Sequence, residues 1–94
     1  MEREKLFKTV VSALVRHGVK KVSVFGSYAR GDINSKSDLD IIVQFSGRKS
    51  LLEIVRIERE LGESTGLKVD LQTEKSLSPH LKPYINKELL VIYQ

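Results

Sequence analysis

Leu6, Phe7, Val10, Val11, Leu14 and Val15 recur at the spacing of one helical face, with charged and polar residues opposite, and His17-Gly18 supply a stop. A first helix is therefore expected. Lys21 to Phe25 then alternates, with Val22 and Val24 on one side, and ends at Gly26, which predicts a short strand running into a tight turn. Ser27 is positioned to cap a short helix over Tyr28 to Gly31. Asp32 to Ser37 is turn-like, and Asp38 to Phe45 becomes apolar on both faces beyond Asp40, the pattern of a central strand. After the loop Ser46-Gly47-Arg48-Lys49, Ser50 and Glu53 form a capping box that opens a helix to about Leu61, with Leu51, Ile54, Val55 and Leu61 as its inward face.

Gly62 and Gly66 bracket the next connection, after which Leu67, Val69 and Leu71 alternate with Lys68, Asp70 and Gln72. This third strand buries one face and turns Asp70 to the other. Ser78-Pro79 reads as a cap and first-turn proline, and Lys82-Pro83 precedes a helical stretch to about Glu88. The apolar tail Leu89 to Tyr93 fits either a last short strand or a partner-binding edge.

Ninety-four residues suit a single domain, residues 1–94, with no room for a separate substrate-selecting module, so a large substrate has to be met at the surface. No apolar run approaches the roughly 18 residues of a membrane span, and no small-residue cleavage site follows the charged opening, so a cytoplasmic protein without membrane contact is expected. Cysteine is absent, which excludes disulfides, thiolate nucleophiles and cysteine-based zinc sites. His17 and His80 lack ligand spacing and suit surface or capping positions. A metal would have to be held by oxygen, which favours magnesium or manganese. The net charge of +4 suits an acidic partner such as a nucleotide, RNA or an acidic protein.

The chemistry concentrates between Gly26 and Asp40. Asp38 and Asp40 stand two apart, which on a strand is about 6.6 Å along one face. Like charges there repel, and aspartate is depleted in strands, so the pair calls for a compensating cation beside the Gly26-Ser27 turn. Each part has a bland counterpart: Gly-Ser after a strand is usually a turn, and Asp-x-Asp is often a solvated strand start. Asp32 reads as a turn residue, Ser37 as a local cap and Tyr28 as packing over the turn. Lys20-Lys21 and Arg48-Lys49 read as solvated charge that an RNA or an acidic partner would also suit.

Gly26-Ser27, Ala29-Arg30-Gly31, Ser37-Asp38-Leu39-Asp40 and the later Val69-Asp70-Leu71 resemble the minimal nucleotidyltransferase (MNT) domains of the DNA polymerase beta superfamily, over most of the chain. The resemblance implies an α/β fold with a mixed β-sheet flanked by helices. It implies that Asp38, Asp40 and Asp70 are catalytic and bind metal, two Mg2+ ions or Mn2+ in their place, with Asp70 also accepting the proton of the attacking hydroxyl. Gly26 and Ser27 would hold the phosphates of ATP, and Arg30 would contact a phosphate or pair with a surface ion. Family members of this size pair with a HEPN-type toxin, a helical ribonuclease, and some transfer AMP to a tyrosine of it. The function so implied is a protein adenylyltransferase acting as an antitoxin. Two alternatives stand beside it: a non-catalytic module that neutralises its partner by contact, and a transferase acting on RNA, which the scattered aromatics disfavour.

Overall fold

The computed structural model describes residues 3–31, 38–76 and 89–94. The turn at 32–37, with Asp32 and Ser37, and the expected helical region from Ser78 to Glu88, with His80, lie outside the described residues. Helix α1 spans Arg3–Val15, strand β1 Val19–Phe25, helix α2 Ser27–Arg30, strand β2 Leu39–Phe45, helix α3 Leu51–Thr65, strand β3 Val69–Thr73 and strand β4 Leu90–Tyr93. A 3-10 turn, Glu74–Ser76, follows β3.

The four strands form one mixed sheet in the order β3-β2-β1-β4. β1 pairs antiparallel with both β2 and β4, whereas β2 and β3 run parallel. A parallel neighbour needs a crossover, and α3 supplies it. The expected mixed sheet flanked by helices is thus present. The tail is strand β4, on the outer edge of that sheet. Among the described residues no helix is long and apolar enough to cross a membrane.

One sheet face packs under α1 and α3. Leu39, Ile41 and Val43 of β2, Val22 and Val24 of β1 and Leu71 of β3 meet Leu6, Val10, Ala13 and Leu14 of α1 and Ile57 and Leu61 of α3. Because side chains alternate along a strand, Asp40 and Asp70 fall on the opposite face from this core.

The structure departs from the expected pattern at several positions. β1 begins at Val19, two residues before the alternation does, and Ser23, expected on the polar side, is 1% exposed. Ser23 pairs across the sheet with Ile42, which is buried too, so the second face is closed at this point and period two no longer predicts exposure. α3 continues through Gly62 to Thr65, because Gly66 in the left-handed conformation provides the cap, its N–H donating to the Gly62 carbonyl at 2.9 Å. Its inward stripe is Ile54, Ile57, Glu58 and Leu61, not the expected set. Val55 is outward because it lies about 100° round the helix from Ile54, and Leu51, although in phase with Glu58, is 80% exposed as the first residue of the helix. In α1, Ala13 takes an inward position and Val15 points out. The Ser50–Glu53 capping box is formed, the Ser50 hydroxyl accepting from the Glu53 N–H at 3.2 Å.

Candidate functional site

The three expected carboxylates, the Gly26-Ser27 turn and Arg30 all belong to one end of the sheet. Asp40 is the second residue of β2 and Asp70 the second of β3, and the parallel register sets them opposite each other. On its other side Asp40 is the partner of Phe25, the last residue of β1, so the turn that follows begins beside it. The contact is close: a Cβ added to Gly26 would sit 3.2 Å from Asp40 Oδ2. Gly26 has φ 76° and ψ −146°. That region is open essentially to glycine alone, so this residue meets two demands, a backbone conformation and a bare approach to the carboxylate.

The electrostatics agree with the register. Asp40 is half-buried, and its carboxyl is raised above its ordinary value of 3.8 by burial first, then by the charges of Asp70 and Asp38. Burial and like charge both disfavour the ionised form, and a bound cation would relieve both. Asp38 lies just before β2 rather than within it, so it is not held by the ladder as expected, yet its charge still reaches Asp40. Among the described residues no three acidic or histidine side chains close into a ready cage for a metal. An open set of oxygens fits a magnesium-type ion, which keeps several waters and draws further ligands from substrate phosphates.

α2 is a single turn that begins at Ser27 itself. Its N-cap is Gly26, and no side-chain cap bond is made, so Ser27 does not cap as expected. The glycine conformation already turns the chain, which places Ser27 within the helix. Tyr28 is buried in the core, in agreement with a packing role. Arg30 ends the turn and is exposed, its N–H donating to the Gly26 carbonyl at 3.1 Å.

Two residues that sequence reasoning passed over position this end of the sheet. Arg3, from the start of α1, donates through Nη1 to the Tyr28 carbonyl at 3.2 Å and to that of Ala29 at 3.4 Å, tying down the turn after Gly26. Such a C-terminal cation favours the carbonyl end of a helix, but its partner is 25 residues away and leaves no local trace. Glu58, on the inward stripe of α3, accepts from the Leu71 N–H at 2.9 Å, directly after Asp70. β3 is an edge strand, so this carboxylate occupies a main-chain donor with no neighbouring strand to pair it. A polar residue on an otherwise apolar helix stripe was the available signal.

A mixed sheet with helices on one face, and carboxylates on adjacent strand starts beside a glycine turn, is the architecture of the polymerase-beta-like nucleotidyltransferases. A family model described as "Nucleotidyltransferase domain" matches residues 4–92, and the chain belongs to that family. It is 43% identical over 88 residues to a candidate protein adenylyltransferase of Methanocaldococcus jannaschii, covering 94% of this chain and 95% of the relative. It is 38% identical over 77 residues to a protein adenylyltransferase of Thermococcus cleftensis, covering 82% of this chain and 78% of that one. Among solved structures, a candidate minimal nucleotidyltransferase superposes with a TM-score of 0.81 at 36% identity, over 96% of this chain and 95% of the other. The MNT antitoxin from a complex with tri-AMPylated HEPN toxin of Shewanella oneidensis shares the fold, with a TM-score of 0.81 at 17% identity, over 98% of this chain and 72% of that one.

Proposed function

We infer that the chain is a metal-dependent protein adenylyltransferase that transfers AMP from ATP to a hydroxyl, the acceptor being a tyrosine of a HEPN-type ribonuclease toxin that it thereby silences. The observation that carries this is the register pair Asp40 and Asp70, pressed together across parallel strands next to a glycine whose bare Cα leaves room for the Asp40 carboxylate. Support for the acceptor comes from the likeness to the protein adenylyltransferase of Thermococcus cleftensis and the candidate one of Methanocaldococcus jannaschii, and from the shared fold of an MNT antitoxin found with an AMPylated HEPN toxin.

In this assignment Asp38, Asp40 and Asp70 hold one or two divalent ions, Mg2+ or Mn2+. The ions, when bound, neutralise the triphosphate and sharpen the acceptor hydroxyl as a nucleophile. The backbone of Gly26 and Ser27 approaches the phosphates closely because no Cβ intervenes at Gly26. Arg30 stands one helical turn beyond and adds positive charge on the phosphate side. Asp70, the more exposed of the paired carboxylates, takes the proton from the acceptor oxygen as that oxygen attacks the α-phosphorus. The bond from the α-phosphorus to the bridging oxygen breaks opposite the attack, and pyrophosphate leaves.

The test is transfer of label from α-32P-ATP with Mg2+ to the toxin encoded beside this chain. Wild type is expected to label the toxin and restore growth, and Asp40→Ala and Asp70→Ala to do neither. Equal neutralisation by wild type and both variants without label would establish masking by contact instead. Label appearing on RNA rather than protein would establish the RNA-modifying alternative.

A further inference from the structure

At the far end of the sheet from the aspartates lies a cleft of 660 Å³. Asp40 and Phe45 are five residues apart along β2, so the two ends are about 17 Å from each other. Its rim brings together basic residues that are distant in sequence: Lys20 from the start of β1, Arg48 and Lys49 from the loop between β2 and α3, and Lys75 from the turn after β3. Antiparallel pairing of β1 with β2 and parallel pairing of β2 with β3 send these three segments to one edge. Gln44, Ser46 and Thr73 add polar lining.

The positive charge is not cancelled locally. Glu74, the acidic residue of the lining, is engaged by Lys21 at 3.4 Å, and Lys49 is shared between Glu53 at 3.7 Å and the Phe45 ring, 5.6 Å from its centroid. Lys20, Arg48 and Lys75 are exposed and make no ion pair among the described residues. Three solvated cations around a concave surface attract spaced anionic groups.

We propose that this cleft binds the phosphate backbone of an RNA strand, as a site separate from the carboxylates. An acidic peptide is the weaker fit, because peptide docking relies on apolar or aromatic anchors. Val43 is fully buried, Phe45 is only partly exposed with the Lys49 ammonium 5.6 Å from its ring centroid, and none of the large exposed apolar side chains among the described residues lines the cleft. Backbone binding needs only cations at intervals, and the partly buried ring limits base stacking, so recognition would be indifferent to sequence. RNA here is a ligand rather than an acceptor, and its binding does not depend on the transfer reaction.

Fluorescence anisotropy with a fluorescein-labelled oligouridylate of about a dozen nucleotides tests this on the full chain. Three phosphate contacts predict a log–log salt slope of about −2. Lys20→Glu/Arg48→Glu/Lys75→Glu is expected to weaken binding at least about tenfold and flatten that slope. Lys5→Glu/Lys8→Glu/Arg56→Glu makes the same change in net charge at exposed positions on α1 and α3 and is expected to weaken binding less than about threefold. Thermal melts check folding, and if the cleft triple is unfolded, Arg48→Ala and Lys75→Ala singly must each weaken binding. Undetectable binding, equal loss in both triples, or displacement by polyglutamate as effective as by unlabelled RNA would overturn the proposal.

Discussion

Gly26→Ala is the sharpest probe of the link between backbone and site, with Gly66→Ala as its internal standard. Both glycines have positive φ, 76° and 72°. They differ in two respects. Gly66 has ψ 14°, the ordinary left-handed helical region, and a Cβ there meets nothing within 4 Å. An L-residue pays about 1–2 kcal/mol for that conformation. Gly26 has ψ −146°, a region that costs a non-glycine residue up to about 3 kcal/mol, and its Cβ also presses Asp40 Oδ2 at 3.2 Å. For a chain of this size each kcal/mol lowers Tm by about 4–8 °C.

Calorimetry should therefore place Gly66→Ala about 4–16 °C below wild type with transfer intact. Gly26→Ala should lie lower still, about 12–24 °C below wild type at the full ~3 kcal/mol, and remain folded at assay temperature. Its transfer rate should fall about 100-fold, the cost of displacing a catalytic group by a fraction of an ångström to one ångström. If Gly26→Ala melts no lower than Gly66→Ala, or labels its acceptor at more than half the wild-type rate, the proposed close approach of turn and carboxylate is wrong.

Two further outcomes follow from the same end of the sheet. The Asp40 carboxyl is raised above 3.8, so the folded chain binds this proton more tightly than the unfolded chain does. The stability it contributes is present below pH 3.8 and lost as pH rises through the raised folded value, so metal-free wild type is destabilised at neutral pH. Asp40→Asn, which removes a like charge opposite Asp70, is expected to gain about 0.2–1 kcal/mol at pH 7 in EDTA while losing transfer, and a lower Tm than wild type there would refute the repulsion. Glu58→Ala removes the acceptor of the Leu71 N–H and should cost about 1 kcal/mol while speeding hydrogen exchange at that amide, and unchanged protection of Leu71 would show that the bond does not hold the edge strand.

The chain alone determined the elements whose cause is local. Helical spacing marked α1, Ser50 and Glu53 marked the start of α3, and alternation marked β3 with Asp70 turned away from the core. Local signals failed where a neighbour in space overrides them. Ser23 is buried beside its cross-strand partner Ile42, Glu58 on the inward side of α3 accepts from the Leu71 N–H, and Arg3 reaches the α2 carbonyls across 25 positions. The candidate site divides in the same way. Residue types and spacing singled out Asp38 and Asp40, a like-charged pair at a strand start, beside the Gly26-Ser27 turn, while the resemblance to minimal nucleotidyltransferases added Asp70 and Arg30 as candidates. Only the parallel register of β2 with β3 decided that Asp40 faces Asp70, and only the backbone of Gly26 decided how near the turn comes to that pair. Register is a property of two strands brought together by a crossover, which no single stretch of sequence contains.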